Sequence, residues 1–99
     1  MAVYSLSAKA ASDLDAIYEY TILRFGLEQA RVYLLGMEEQ FQILAEQPAH
    51  GRQADALARG LRRWEYQSHI IFYMPVEHGI RIVRVGSAVG FDSVKLKRA

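Results

Sequence analysis

Ala11, Leu14, Ile17, Tyr18, Ile22 and Phe25 recur at intervals of three and four, which is one apolar stripe of an amphipathic helix. Ser7 stands where the helix N-cap belongs, because its hydroxyl can accept a hydrogen bond from a free backbone N–H of the first turn. Gly26 supplies the C-cap that ends the helix. A second stripe follows at once: Ala30, Tyr33, Leu34, Met37, Phe41, Leu44 and Ala45, stopped by Pro48. The gap at Gly26-Leu27 is so short that the two helices must fold back as a hairpin. A hairpin leaves one side of each stripe open, so a sheet has to cover it.

The sheet is visible as a change of period. Val3-Tyr4-Ser5-Leu6 is a short β-prone run ahead of the first helix. After a loop holding Gly51, Arg52 and Gly60, three more runs follow: Leu61 to Tyr66, His69 to Met74 and Ile80 to Val85. Gln67-Ser68 and Glu77-His78-Gly79 are short enough for tight turns, which implies an antiparallel meander. The pattern predicts an α+β fold of order β-α-α-β-β-β: a helical hairpin packed on a curved, mainly antiparallel four-stranded sheet.

Composition narrows the class. Ninety-nine residues, 52% hydrophobic and 23% charged, make one soluble globular domain and exclude both a disordered chain and a membrane bundle. The longest apolar stretch, Ile70 to Val76, contains Pro75 and is far below the ~20 residues of a bilayer span. The opening Met1-Ala2-Val3-Tyr4 carries no basic leader, so a cytoplasmic protein is expected. The absence of cysteine removes disulfides, thiol chemistry and thiolate metal sites together. Charge is unevenly spread. Residues 1–50 carry three cations against seven carboxylates, net −4, and residues 51–99 carry nine against four, net +5. Such asymmetry suits a face that meets an anionic partner, or simply an uneven solvated surface. The division expected is a folded domain over residues 1–85 and a basic, mobile tail over 86–99, with Gly86 and Gly90 near its start.

Little in the chain supports catalysis. His50, His69 and His78 lack ligand spacing, so neither metal nor cofactor is expected. Ser87 is not in a nucleophile elbow, and no glycine run can cradle phosphate. The arginines are the sharper signal. Arg59, Arg62 and Arg63 lead into the second strand with Trp64 and Tyr66 close behind, and Arg81 and Arg84 lie on the last. Strand alternation puts Arg62, Trp64 and Tyr66 on one face and Arg63 on the other; Arg81 and Arg84, three apart, would face oppositely in a regular strand. Arginine beside aromatics suits a protein hot spot or nucleic acid, and equally an exposed sheet face paired with acids.

Several segments in order resemble the ParE toxins of the RelE/ParE superfamily of toxin–antitoxin systems. They are Tyr4-x-Leu6-Ser7-x-x-Ala10-x-x-Asp13-Leu14-x-x-Ile17-x-x-Tyr20, then Phe25-Gly26, Gln29-Ala30-x-x-Tyr33 and Pro48-x-x-Gly51-Arg52. Gly60-Leu61-Arg62-Arg63, Tyr66-x-Ser68-His69-x-Ile71-Phe72-Tyr73 and Ile80-x-Ile82-Val83-Arg84-Val85 look like the family's sheet. The resemblance spans residues 3–85. It implies a non-enzymatic type II toxin that inhibits DNA gyrase and is neutralised by direct binding of a ParD-like antitoxin. It implies neither sequence-specific nucleic-acid binding by the toxin alone nor membrane attachment. An antitoxin tail could dock as an amphipathic helix and an added strand. The residues expected to receive it are Tyr18, Ile22, Leu34, Met37 and Phe41 in a groove, with Arg81 and Arg84. Arg59, Arg62, Arg63, Trp64, Lys95, Lys97 and Arg98 are the expected target-facing set. The strand arginines should matter to partner recognition more than to folding.

RelE-like cousins are ribosome-dependent mRNA endonucleases, and that is the competing activity. After the last strand the family usually continues Leu-His and a short polar run. This chain reads Gly86-Ser87-Ala88-Val89-Gly90-Phe91-Asp92, a departure that also admits a detoxified antitoxin-binding remnant.

Overall fold

Ser7 fixes the start of the helical layer in the computed structural model, which describes residues 2–87. Its Oγ accepts the Ala10 N–H at 2.9 Å and donates to the Val83 carbonyl at 2.8 Å. One hydroxyl therefore caps α1 (Ala8–Phe25) and ties it to the last strand, 76 residues away in sequence. Gly26, at φ +93°, closes α1 and opens α2 (Leu27–Glu46), a backbone setting that glycine adopts without strain. The hairpin follows from that single residue.

The strands are β1 (Val3–Leu6), β2 (Arg52–Gln53), β3 (Arg62–Tyr66), β4 (His69–Val76) and β5 (Gly79–Ser87). Their order in space is β1-β5-β4-β3-β2, with β1 parallel to β5 and all other pairs antiparallel. The α+β class and element order are those expected, but the sheet has five strands. β2 is only two residues long, pairing Arg52 with Arg63 and Gln53 with Arg62, too short to leave an alternating pattern. β5 also runs two residues past Val85, with Gly86 opposite Ile70 and Ser87 opposite His69. The remainder of the expected tail, with Lys95, Lys97 and Arg98, lies outside the described residues.

Both helices lie on one sheet face. The main core joins Met37, Phe41 and Leu44 of α2 to Ile71 and Tyr73 of β4 and to Ile80, Ile82 and Val85 of β5. A smaller one on the opposite face joins Ala54 and Leu61 to Ile70 and Phe72. On α1 the buried line is Ala10 and Thr21, with Leu14 and Ile17 packed against the core. It is therefore rotated from the predicted stripe: Ala11 is exposed, and Phe25 is 64% exposed. Thr21 can sit inward because its hydroxyl donates to the Ile17 carbonyl at 2.6 Å.

A bulge resets β5. Phe72 pairs with Arg84 and Tyr73 with Ile82, leaving Val83 as the extra residue. Ile82 and Val85, three apart, consequently reach the same core. The strand is thus not regular between Arg81 and Arg84, and simple alternation does not place them.

Two close approaches fix the helices and loop on the sheet. Tyr73, fully buried, donates its hydroxyl to the Pro48 carbonyl and accepts the Gly51 N–H, each at 2.8 Å. Burial raises the Tyr73 pKa, keeping the hydroxyl protonated for that donation. Gly36 on α2 leaves room for the Tyr66 ring, and a Cβ there would overlap the Tyr66 hydroxyl. Gly36→Ala is expected to cost about 1–3 kcal/mol through overpacking, despite alanine's better helix propensity. Urea denaturation checks this; an unchanged or higher midpoint would mean that Tyr66 moves aside freely.

Candidate partner-binding surface

The helical hairpin has an outer side that the sheet does not cover. There Leu14, Asp15 and Tyr18 of α1 face Glu28, Arg31, Val32, Leu34, Leu35 and Glu38 of α2 across an open groove of about 650 Å³. The helix period explains it: positions 28, 31, 32, 35 and 38 follow one another on the α2 face turned away from the core. Val32 is 55% and Leu35 62% exposed, so the groove floor is apolar and partly uncovered.

A second concavity lies at the hairpin's turn end. Tyr20, Thr21 and Phe25 of α1, Gln29 and Tyr33 of α2 and Gln67, Ser68 and His69 of the β3–β4 turn line about 390 Å³. Gln67 reaches this position with φ +52°, which the tight hairpin requires. His69 Nδ1 lies 2.7 Å from the Tyr33 hydroxyl, and the Tyr33 ring also packs against Tyr66 with centroids 5.3 Å apart. Arg24 lies over the Tyr20 and Phe25 rings at 5.9 and 6.0 Å.

Burial lowers the His69 pKa from 6.5. The fold therefore favours neutral imidazole, and on acidification the unfolded chain takes up its proton first. The stability this group contributes is complete above about pH 6.5 and is lost as pH falls below it toward the depressed folded value. Melting should thus drop between pH 7.5 and 5.5 by more in the wild type than in His69→Gln. Equal drops would remove His69 from the pH response.

The structure sorts the residues expected to bind partners. Tyr18 and Leu34 line the outer groove. Ile22 is half-buried on α1 but does not line that groove. Met37 and Phe41 are fully buried in the main core, with the Phe41 ring edge-on to Tyr4 at 5.3 Å, so both are packing residues and not groove residues. Their helical spacing suits either role, and only the orientation of α2 against the sheet separates them.

Three of the candidate arginines hold the fold. Arg84 Nε and Nη2 donate to the two Asp13 carboxylate oxygens at 2.8 and 3.1 Å, and Asp13 also accepts the Val85 N–H at 2.9 Å. The hydrogen bonds that Arg84 donates to Asp13 raise the Arg84 pKa, so the guanidinium stays charged. Arg62 donates to the carbonyls of Gly51 and Ala49 and so supports the loop that Tyr73 also holds. Arg63 has a side chain only 13% exposed, paired with Glu65 at 3.3 Å and lying 6.0 Å from the centre of the Phe72 ring. The expectation that the strand arginines matter to recognition more than to folding presupposes exposed side chains, and Arg62, Arg63 and Arg84 are instead half-buried with partners in the fold. Arg81 is exposed, with Ser5 Oγ at 3.5 Å, and Arg59 is exposed in the loop before β3. Trp64 donates Nε1–H to Gln40 at 2.8 Å and stacks with His50 at 4.4 Å, so it serves the α2–sheet junction.

The profile of the family described as ParE toxin of type II toxin-antitoxin system, parDE, matches residues 4–89. The chain belongs to the ParE toxin family. It is similar to Toxin ParE1 of Caulobacter vibrioides, 38% identical over 86% of this chain and 88% of that one. It is also similar to Toxin ParE1 of Mycobacterium tuberculosis strain H37Rv, 35% identical over 83% and 85% respectively. Among solved structures, the chromosomal ParDE toxin–antitoxin system from P. aeruginosa matches with a TM-score of 0.75 at 25% identity, covering 88% of this chain and 96% of that chain. Against this ParE background, the groove residues missed in the sequence are Leu14, Asp15, Glu28, Arg31, Val32, Leu35 and Glu38. Their signal was present: Glu28, Val32, Leu35 and Glu38 repeat at three and four, out of phase with the core stripe of α2. No helix among the described residues is long and apolar enough to cross a membrane.

Proposed function

We propose that this ParE-family chain inhibits DNA gyrase without catalysis and is neutralised by a ParD-like antitoxin seated on the outer groove of the hairpin. Membership of the ParE family carries the reading. The arginine geometry supports it over the RelE-type nuclease. Cleavage of RNA by its own 2′-hydroxyl needs a base, an acid and cations gathered about one phosphate. Here Arg84 is engaged by Asp13 and Arg62 by backbone carbonyls, on the strands either side of β4. His69 has its Nδ1 against Tyr33, and among the described residues no lysine or arginine lines the adjacent cleft. Arginine is also a poor general base, since it stays protonated.

Expression in cells with and without the antitoxin tests the reading. Unopposed chain should stop replication and induce the response to DNA breaks, and co-expressed antitoxin should restore growth and co-purify. Growth arrest with intact DNA and cleaved messages would favour the nuclease. Normal growth of cells holding folded chain would favour a detoxified remnant, which the unusual stretch after β5 also suggests.

A further inference from the structure

The cleft at the hairpin's turn end has a different chemistry from the outer groove, and the two share no lining residue. Three of its walls are aromatic: Tyr20 and Phe25 of α1 and Tyr33 of α2. Its polar groups are the amides of Gln29 and Gln67, the Ser68 hydroxyl and the His69 imidazole, and no carboxylate, lysine or arginine lines it among the described residues. Amides and hydroxyls each donate and accept hydrogen bonds. Burial holds His69 toward its neutral form, so its ring also offers one donor and one acceptor. A volume of about 390 Å³ lies at the lower end of small-ligand sites.

The walls are fixed by contacts within the fold. The Tyr33 hydroxyl lies 2.7 Å from His69 Nδ1 and 3.4 Å from Ser68 Oγ. Its ring packs against those of Tyr66 and His69, with centroids at 5.3 and 5.5 Å. The Thr21 hydroxyl is committed to the Ile17 carbonyl. His69 Nε2 and the side-chain amides of Gln29 and Gln67 have no hydrogen-bond partner among the described residues. Arg24 lies over the Tyr20 and Phe25 rings without lining the cleft, so a cationic ligand would meet a like charge beside it.

From this arrangement we infer that the cleft binds an uncharged, planar nitrogen heterocycle of about the size of a purine base, carried as a free nucleoside. A flat ring stacks on the aromatic walls, and an edge of alternating donors and acceptors matches groups that can play either part. A pure hydrocarbon ring would strip water from the amides and return no hydrogen bond. A charged ligand would lose its hydration without gaining a counter-charge. A base within a nucleic-acid strand brings phosphates, which cations must meet, and none lines the cleft. Tyr20, Ser68 and His69 also line an adjoining concavity of about 530 Å³, which gives the sugar room. The inference does not depend on the gyrase or antitoxin readings.

Titration of the full-length chain with adenosine, guanosine, ribose and benzoate, followed by amide NMR, tests it. At least one purine nucleoside should give saturable shifts at Tyr20, Gln29, Ser68 and His69, while ribose and benzoate leave them in place. Tyr20→Ala and Gln29→Ala should each weaken that binding by about fivefold to tenfold. Both side chains are exposed, and thermal melting of the two variants confirms that they fold. Absence of saturable shifts with either nucleoside, shifts confined to other surfaces, or unchanged affinity in both folded variants overturns the inference. A five-residue single-stranded oligoadenylate should bind no more tightly than adenosine. Binding tenfold or more tighter would assign the cleft to a nucleic-acid strand and overturn the nucleoside assignment.

Discussion

Phe41→Ala should destabilise the chain by about 3–5 kcal/mol, the cost of removing a buried aromatic from a core that cannot close around the void. Phe41 has no exposed surface and lies between α2 and the sheet, with Tyr4, Met37, Leu44 and Ile82 in the same core. For a domain of this size, total stability is on the order of 5–15 kcal/mol. The variant is therefore expected to melt at least ten degrees lower, since each kcal/mol moves the midpoint by about 4–8 °C. Leu35→Ala makes the contrast. Leu35 is 62% exposed on the other side of the same helix, so its loss should change stability by under about 0.5 kcal/mol while weakening antitoxin binding. Chemical denaturation of both variants, beside antitoxin titration, checks the pair. Near-wild-type stability of Phe41→Ala would place that ring outside the core.

The second large effect is expected at Asp13. Replacing it with Ala removes two hydrogen bonds to Arg84 and leaves the Val85 N–H without its acceptor. Satisfying that amide and the guanidinium is worth about 1–3 kcal/mol in total, with the guanidinium share reduced because the Arg84 side chain is 34% exposed. Arg84→Gln should cost less, about 1 kcal/mol, because Asp13 keeps Val85. In the double variant the losses should fall short of additivity by at least ~0.5 kcal/mol, the mark of a shared interaction. Strict additivity in a double-mutant cycle would mean that the bidentate contact contributes nothing.

These two sites show which parts of the structure could be read from sequence. Period, caps and turn residues are local properties, and Ser7, Gly26 and Gln67-Ser68 mark their boundaries correctly. The order β-α-α-β-β-β follows from them, with the two-residue β2 left out. What local pattern leaves open is rotation and irregularity. The α1 stripe is displaced by one position because Ala10 and Thr21, neither strongly apolar, are small enough to approach the sheet. The Val83 bulge shifts the inward positions of β5 from a spacing of two to three, and no residue type announces it. Two-residue β2 falls below any periodicity.

The partner surface was legible only in part, for a related reason. A helix with apolar residues on two sides offers two stripes, and the richer one was read as both core and groove. Packing assigned Met37 and Phe41 to the core and left Val32 and Leu35 outside. Asp13 and Arg84 are 71 residues apart, so nothing local links them until α1 lies against β5. Arginines on a strand look available for binding in a sequence, whereas Arg62 and Arg84 are occupied in the fold.

Gyrase supercoiling of relaxed plasmid by purified enzyme tests the central claim most directly, with ribosome-bound mRNA as the parallel substrate. The purified full-length chain should inhibit supercoiling and leave the message whole, and stoichiometric ParD-like antitoxin should reverse the inhibition. Undiminished supercoiling at a large excess of folded chain, together with cleaved message, would contradict it.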